Sequence, residues 1–181
     1  MANRDFFSAM KPGGLFINAS RGGVVCEKEL LEKISAGRIS AVLDVWNNEP
    51  DINRELLDAC LLATPHIAGY SLDGKATGTA MSVRFISRIF GLGLDDWPVP
   101  ELPPPPEKVI DAGGVPAAEC MGEIMDRVYD FRQDDTALRR APGNFEKIRG
   151  NYPPRRDFSA CRIINHAVNE YNIWKKSGFA I

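Results

Sequence analysis

Along residues 1–70 the apolar positions change period several times, and each change predicts a change of element. Residues 6–10 read as the end of a helix. Lys11-Pro12-Gly13-Gly14 reads as a turn, because proline fixes φ and glycine accepts left-handed backbone. The short apolar run Leu15-Phe16-Ile17-Asn18 suits a buried strand. Over residues 27–36, Leu30, Leu31 and Ile34 fall on one helical face, and Gly37 stands where a helix-ending glycine belongs. Residues 39–46 are almost wholly apolar, which predicts a parallel strand covered on both faces. Residues 52–60 predict a second helix with Leu56 and Leu57 inward, and Leu61-Leu62-Ala63 a third strand. Strand–helix–strand–helix–strand is the rhythm of a doubly wound α/β sheet.

Residues 72–91 predict a longer helix, with Ser71 or Asp73 near its start, Ala76, Ala80, Val83 and Phe90 near helical spacing, and Gly91 and Gly93 at its end. Six of the 13 prolines then fall between Pro98 and Pro106, a stiff, extended composition that reads as a linker. Beyond it, residues 108–111 and 160–164 are strand-like. Pro116 suits a first helical position, ahead of Met121, Ile124, Met125 and Val128 at helical spacing. Residues 145–149 and 167–176 predict further helices, the last ending at Gly178. The expected organisation is a parallel-sheet unit with its long helix over residues 1–91, a proline-rich linker over 92–107 and a small α+β unit over 108–181.

At 44% hydrophobic residues the chain can bury a core. Its net charge of -2 provides no global positive field for nucleic acid or an anionic membrane. Arg139, Arg140, Lys147, Arg149, Arg155 and Arg156 form a locally basic stretch that reads as a solvated face. Cys26, Cys60, Cys120 and Cys161 lack C-x-x-C spacing, and only His66 and His166 could assist them, so no metal site is expected. No apolar run is long enough to span a bilayer, and scattered cysteines suit reduced thiols in a cytoplasmic protein.

Candidate chemistry gathers where strands end. Arg21 follows the first strand in Asn18-Ala19-Ser20-Arg21-Gly22-Gly23, Glu49 follows the second in Asp44-Val45-Trp46-Asn47-Asn48-Glu49-Pro50, and His66 follows the third in Thr64-Pro65-His66-Ile67-Ala68-Gly69-Tyr70. Ligands of open α/β sheets bind outside the carboxyl ends of the strands. A histidine exchanges protons near neutrality, a carboxylate fixes its tautomer, and an arginine grips a carboxylate or polarises a carbonyl. Together they suit oxidation of an alcohol beside a carboxylate. Taken singly, Arg21 and Glu49 could be surface residues and His66 could serve a backbone carbonyl. Asp44 is harder to dismiss, since an unpaired buried carboxylate is costly. His166 carries no assigned role. No G-x-G-x-x-G occurs, and Gly91-Leu92-Gly93 follows a helix rather than a strand.

Taken together, the three segments resemble the D-2-hydroxyacid dehydrogenases: Lys11-Pro12-Gly13-Gly14 through Arg21-Gly22-Gly23 their arginine loop, Leu43-Asp44-Val45 through Glu49-Pro50 their acid segment, and Thr64-Pro65-His66-Ile67-Ala68-Gly69 their histidine loop. The resemblance implies a Rossmann-like fold and NAD as cofactor. It implies Arg21, Glu49 and His66 as catalytic residues, and Ala19, Ser20, Arg21, Asp44 and Gly69 at the nicotinamide end. Tyr70-Ser71-Leu72-Asp73-Gly74-Lys75-Ala76, Val128-Tyr129-Asp130-Phe131-Arg132-Gln133-Asp134-Asp135 and Phe145-Glu146-Lys147-Ile148-Arg149 resemble the member that oxidises 4-phosphoerythronate on the way to pyridoxal phosphate. That narrower likeness implies Tyr70 as a substrate residue, a phosphorylated hydroxy acid as substrate, and a homodimer formed through residues 108–181. In the family the substrate half, the phosphate loop and the ribose-binding acid lie upstream of the matched segments, so this polypeptide alone is expected to be inactive. Two alternatives stay open: another member such as phosphoglycerate dehydrogenase, or a non-catalytic binding protein on a dehydrogenase scaffold.

Overall fold

A computed structural model describes residues 1–167 and 169–181, and it divides into two compact units, Met1–Ala68 with Phe131–Tyr152 and Gly69–Asp130 with Pro153–Ile181. The first unit is built on a parallel sheet in the order β1-β2-β3, from β1 (Gly14–Asn18), β2 (Ile39–Leu43) and β3 (Leu62–Ala63). Helices α1 (Arg4–Ala9), α2 (Glu27–Ser35) and α3 (Arg54–Ala59) accompany the strands, so the α/β rhythm expected of residues 1–70 is present. Gly37 closes α2 with φ +64, a geometry a side chain would strain.

The pairing register sets the edge on which function can be built. Asn18 pairs with Leu43, and Leu43 with Ala63, so all three strands end in one row. Residues 44–46 do not extend β2. The Asp44 N–H still donates to the Asn18 carbonyl, at 3.0 Å, and the chain then turns away. Nor is the sheet covered on both faces as expected. Ile39, Ala41 and Leu43 are buried, whereas Ser40 is exposed and Val42 half-buried, in line with exposed Leu15 and Ile17 on β1.

Residues 131–152 depart furthest from the expected organisation, because they pack with residues 1–68. Here α6 (Phe131–Arg140) and α7 (Phe145–Gly150) bring Leu138 and Phe145 fully into the core beside Leu30, Leu43, Leu56 and Leu57. Each such side chain contributes about 1.5–3 kcal/mol by leaving water. Arg139 donates to the carbonyls of Leu57 (2.6 Å) and Cys60 (3.0 Å), capping α3, and pairs with Asp135 at 2.9 Å. Asp135 in turn accepts from Ala63 N–H at 2.7 Å, closing the end of β3. The arginine is therefore a structural strut, and the expected solvated face is not one at this position.

The second unit pairs β4 (Val109–Asp111) with β5 (Arg162–Ile164) in parallel. α4 (Leu72–Phe90), α5 (Ala117–Val128) and α8 (Tyr171–Lys176) complete it, and Pro116 precedes α5 rather than opening it. Ile110, Ile124, Ile163, Trp174 and Phe179 form its core. The helix expected over 167–176 begins at Tyr171, and Val168 lies outside the described residues. Ser71 caps α4, accepting from Gly74 N–H at 2.9 Å. Both Asp73 oxygens accept from Arg156 at 2.9 Å, and Arg156 also donates to the Pro103 carbonyl. The proline run, expected as a linker, is thus held within this unit. On α4, Met81, Phe85 and Ile89 recur every fourth residue and are exposed.

Candidate active site

Three loops leave the strand-end row of the first unit, and each is shaped by backbone hydrogen bonds that its sequence makes possible. After β1, buried Asn18 organises the arginine loop. Its side-chain amide donates to the Arg21 carbonyl (3.0 Å), and its side-chain oxygen accepts from Ser20 N–H (3.1 Å) and hydroxyl (3.0 Å). Ala19, Ser20 and Arg21 are exposed, and the Arg21 guanidinium donates to the Ser20 carbonyl at 2.6 Å. Gly22 brings this loop against the next one. A β-carbon there would lie 2.1 Å from the carbonyl carbon and oxygen of Trp46, so only glycine fits.

The second loop carries Glu49. Its Oε1 accepts from Trp46 N–H at 2.8 Å, folding residues 46–49 into a compact turn. The Trp46 indole donates to the Thr64 carbonyl at 3.0 Å, joining this loop to the third. Glu27 accepts from Asn47 N–H at 2.7 Å, steadying the loop from the start of α2. Burial pushes the Glu27 carboxyl above the ordinary range; the Asn47 bond pulls it back in part, and the Glu49 charge raises it further.

His66 opens the third loop. Its Nδ1 lies 2.8 Å from Glu49 Oε2. A carboxylate at Nδ1 favours the tautomer with its proton on Nδ1, in which Nε2 is the acceptor nitrogen, the arrangement of a general base. The backbone of His66 is left-handed, with φ +58. For a residue with a β-carbon this costs roughly 1–2 kcal/mol, so the surroundings must hold it.

Much of that holding is done by Asp44. Its main-chain carbonyl accepts from His66 N–H at 2.7 Å. The residue is only 6% exposed, and its carboxylate accepts from the Thr64 hydroxyl (2.6 Å), Ile67 N–H (2.7 Å) and Ala68 N–H (3.1 Å). The buried acid singled out from sequence is therefore fully engaged in shaping the histidine loop. Arg149 of α7 donates from Nε to the His66 carbonyl at 3.3 Å.

The structure thus brings Glu49, His66 and Asp44 into one hydrogen-bonded cluster and puts Ala19, Ser20 and Arg21 on the neighbouring loop of the same strand-end row. Gly69 and Tyr70 fall in the second unit, where Lys75 Nζ stands 4.1 Å over the Tyr70 ring. His166 Nδ1 hydrogen-bonds the neighbouring Ala167 carbonyl at 3.1 Å. Sequence reasoning passed over Asn18, Glu27, Thr64 and Arg149. A polar residue ending an apolar strand could have marked Asn18; nothing local marks Arg149. Among the described residues no His, Cys, Asp and Glu cluster could hold a metal ion, and no helix is long and apolar enough to cross a membrane.

Residues 1–68 match the family described as D-isomer specific 2-hydroxyacid dehydrogenase, NAD binding domain, and residues 102–178 match a domain of unknown function (DUF3410). Erythronate-4-phosphate dehydrogenase of Bacteroides fragilis is 43% identical over 165 residues, covering 91% of this chain and 45% of the relative. The Edwardsiella ictaluri protein of that name is 40% identical over 183 residues, covering 99% and 49%. The one from Escherichia coli O1:K1 is 38% identical over 187 residues, covering 99% and 48%. The chain spans about half the length of the curated relatives it matches.

Proposed function

We propose that this chain, whose residues 1–68 match the family described as D-isomer specific 2-hydroxyacid dehydrogenase, NAD binding domain, carries the acid–base machinery of a 4-phosphoerythronate dehydrogenase. The observation that carries this reading is the His66–Glu49 pair, 2.8 Å apart, on the same strand-end row as Arg21.

In this reading the substrate is 4-phospho-D-erythronate and the product 2-oxo-3-hydroxy-4-phosphobutanoate, a step of vitamin B6 synthesis. His66 Nε2 takes the proton of the C2 hydroxyl as the C2–O bond becomes a carbonyl. Glu49 holds the ring through Nδ1 and stabilises the imidazolium that forms. Arg21, on an exposed loop, offers two donors to the substrate carboxylate. NAD, when bound, supplies the acceptor for the C2 hydride. Exposed Ala19 and Ser20 fit the nicotinamide end of such a cofactor, since they stand at the carboxyl edge of a parallel sheet. Asp44 acts there through the histidine loop that its carboxylate holds, Gly69 belongs to the same cofactor set, and Tyr70 is assigned to substrate. No G-x-G-x-x-G occurs in these 181 residues, so the phosphates of the cofactor are assigned to no residue here.

A cytoplasmic homodimer formed through residues 108–181 belongs to the same proposal; it is supported by the likeness of that segment to the relatives, and sedimentation tests it. The deciding experiment follows NAD reduction by the protein carrying this chain, with 4-phosphoerythronate beside D-3-phosphoglycerate. Selective turnover of 4-phosphoerythronate, abolished by His66→Ala, is the expected result. Turnover of phosphoglycerate alone would replace the substrate assignment, and turnover of neither would favour a binding role for the scaffold.

A further inference from the structure

We infer that Arg149 is a positioning residue for His66, acting through the peptide that joins His66 to Ile67; this rests on the catalytic reading of His66. The nitrogen end of that peptide donates from Ile67 N–H to the Asp44 carboxylate at 2.7 Å. Its oxygen end accepts from Arg149 Nε at 3.3 Å. A peptide unit carries a dipole of about 3.5 D, positive at the N–H and negative at the C=O. Here an anion faces its positive end and a cation its negative end, so both contacts oppose rotation of the peptide plane.

The preceding peptide is held by the His66 N–H bond to the Asp44 carbonyl at 2.7 Å, so φ at His66 can change only if the plane between His66 and Ile67 is displaced. The φ of +58 at His66 is a conformation that a residue with a β-carbon leaves readily. Relaxing it would swing the ring away from Glu49 Oε2. Asp44 and Glu49 come from the segment that follows β2, whereas Arg149 comes from α7, 83 residues beyond His66. Leu138 and Phe145, fully buried in the same core, fix the segment that presents the guanidinium, and Glu146 stands 3.7 Å from Arg149 Nη1. Residues 131–152 therefore do more than cover the sheet: they set the geometry of the proposed base.

The test uses Arg149→Met, which keeps the aliphatic stem and removes the donors, and Arg149→Lys, which keeps a cation. Nuclear magnetic resonance on the 181-residue chain reads the HN–Hα coupling of His66 and the amide exchange of Ile67. Arg149→Met should move the coupling toward its extended value and speed Ile67 exchange about tenfold, on the order of one hydrogen bond to a charged group. Arg149→Lys should restore much of both. In the protein carrying this chain, Arg149→Met should lower kcat about tenfold at unchanged KM, with partial rescue by lysine. Should Arg149→Met fail to fold, Arg149→Gln takes its place with the same expectations. Wild-type coupling and Ile67 exchange in a folded variant overturn the inference. Absence of wild-type turnover removes the catalytic reading instead and leaves the coupling measurement to decide the peptide clamp.

Discussion

Replacing Asp44 with alanine isolates what the buried carboxylate contributes. Three donors converge on it: the Thr64 hydroxyl at 2.6 Å, Ile67 N–H at 2.7 Å and Ala68 N–H at 3.1 Å. A hydrogen bond to a charged acceptor contributes about 1.5–3 kcal/mol, and a buried donor left without one costs about 1–3 kcal/mol. The three donors do not suffer equally. Ile67 is fully buried, so its N–H takes the full penalty, whereas Ala68 is exposed and can turn to water. The Thr64 hydroxyl can rotate. The expected loss is therefore about 3–5 kcal/mol, a large share of a small domain's roughly 5–15 kcal/mol. Amide exchange at Ile67 measures it locally: about 3 kcal/mol corresponds to roughly a hundredfold loss of protection. Urea unfolding followed through resolved amide peaks of the first unit measures it globally. Asp44→Asn should lie between, since one oxygen still accepts while the new NH2 faces a donor. A loss below about 1 kcal/mol on both measures for Asp44→Ala would show that the carboxylate does not hold the histidine loop.

Most of the first unit was legible because its signals are local. Apolar strands followed by isolated polar residues located Arg21, Glu49 and His66, and the strand register then puts their loops on one edge. Asp44 was legible as an anomaly, an acid beside an apolar strand. Its task was not, since it depends on the direction of N–H groups 23 and 24 residues away. The basic stretch shows the limit most clearly. In sequence Arg139, Arg149 and Arg156 have the composition of a wet surface, yet each also reaches a carbonyl or carboxylate 79–83 residues upstream. α6 was not anticipated, because Phe131–Arg140 offers little apolar periodicity and only Leu138 is buried. Ion pairing and carbonyl capping, rather than a hydrophobic stripe, tie that helix down. The covering of β2 was over-read for the converse reason: an apolar run shows that a strand can be buried, not that anything lies on its second face.

Gly22→Ala should destabilise the first unit by about 1–3 kcal/mol, because its β-carbon would meet Trp46 backbone at 2.1 Å; Gly23→Ala, with nothing within 4 Å, should leave the melting temperature nearly unchanged. Cys60, whose thiol burial pushes up to about 12, should resist alkylation at neutral pH in the folded chain while the partly exposed Cys26 reacts; equal labelling of both would contradict the burial. The second unit should lose stability in acid through Asp73. Hydrogen bonding to Arg156 holds its carboxyl below the ordinary value of 3.8, against an opposing push from burial. A group whose folded pKa is depressed stabilises the fold above its unfolded pKa. That contribution is then lost as pH falls through the folded value, so the window lies below about pH 4. The loss should be steeper than in Asp73→Asn, which has no proton to gain there and is already weakened at neutral pH by the missing charge. Acid titration of both proteins, followed through amide peaks of the second unit, compares the slopes. Parallel curves would mean that the Asp73–Arg156 pair, though bidentate at 2.9 Å, adds nothing to the acid stability of this unit.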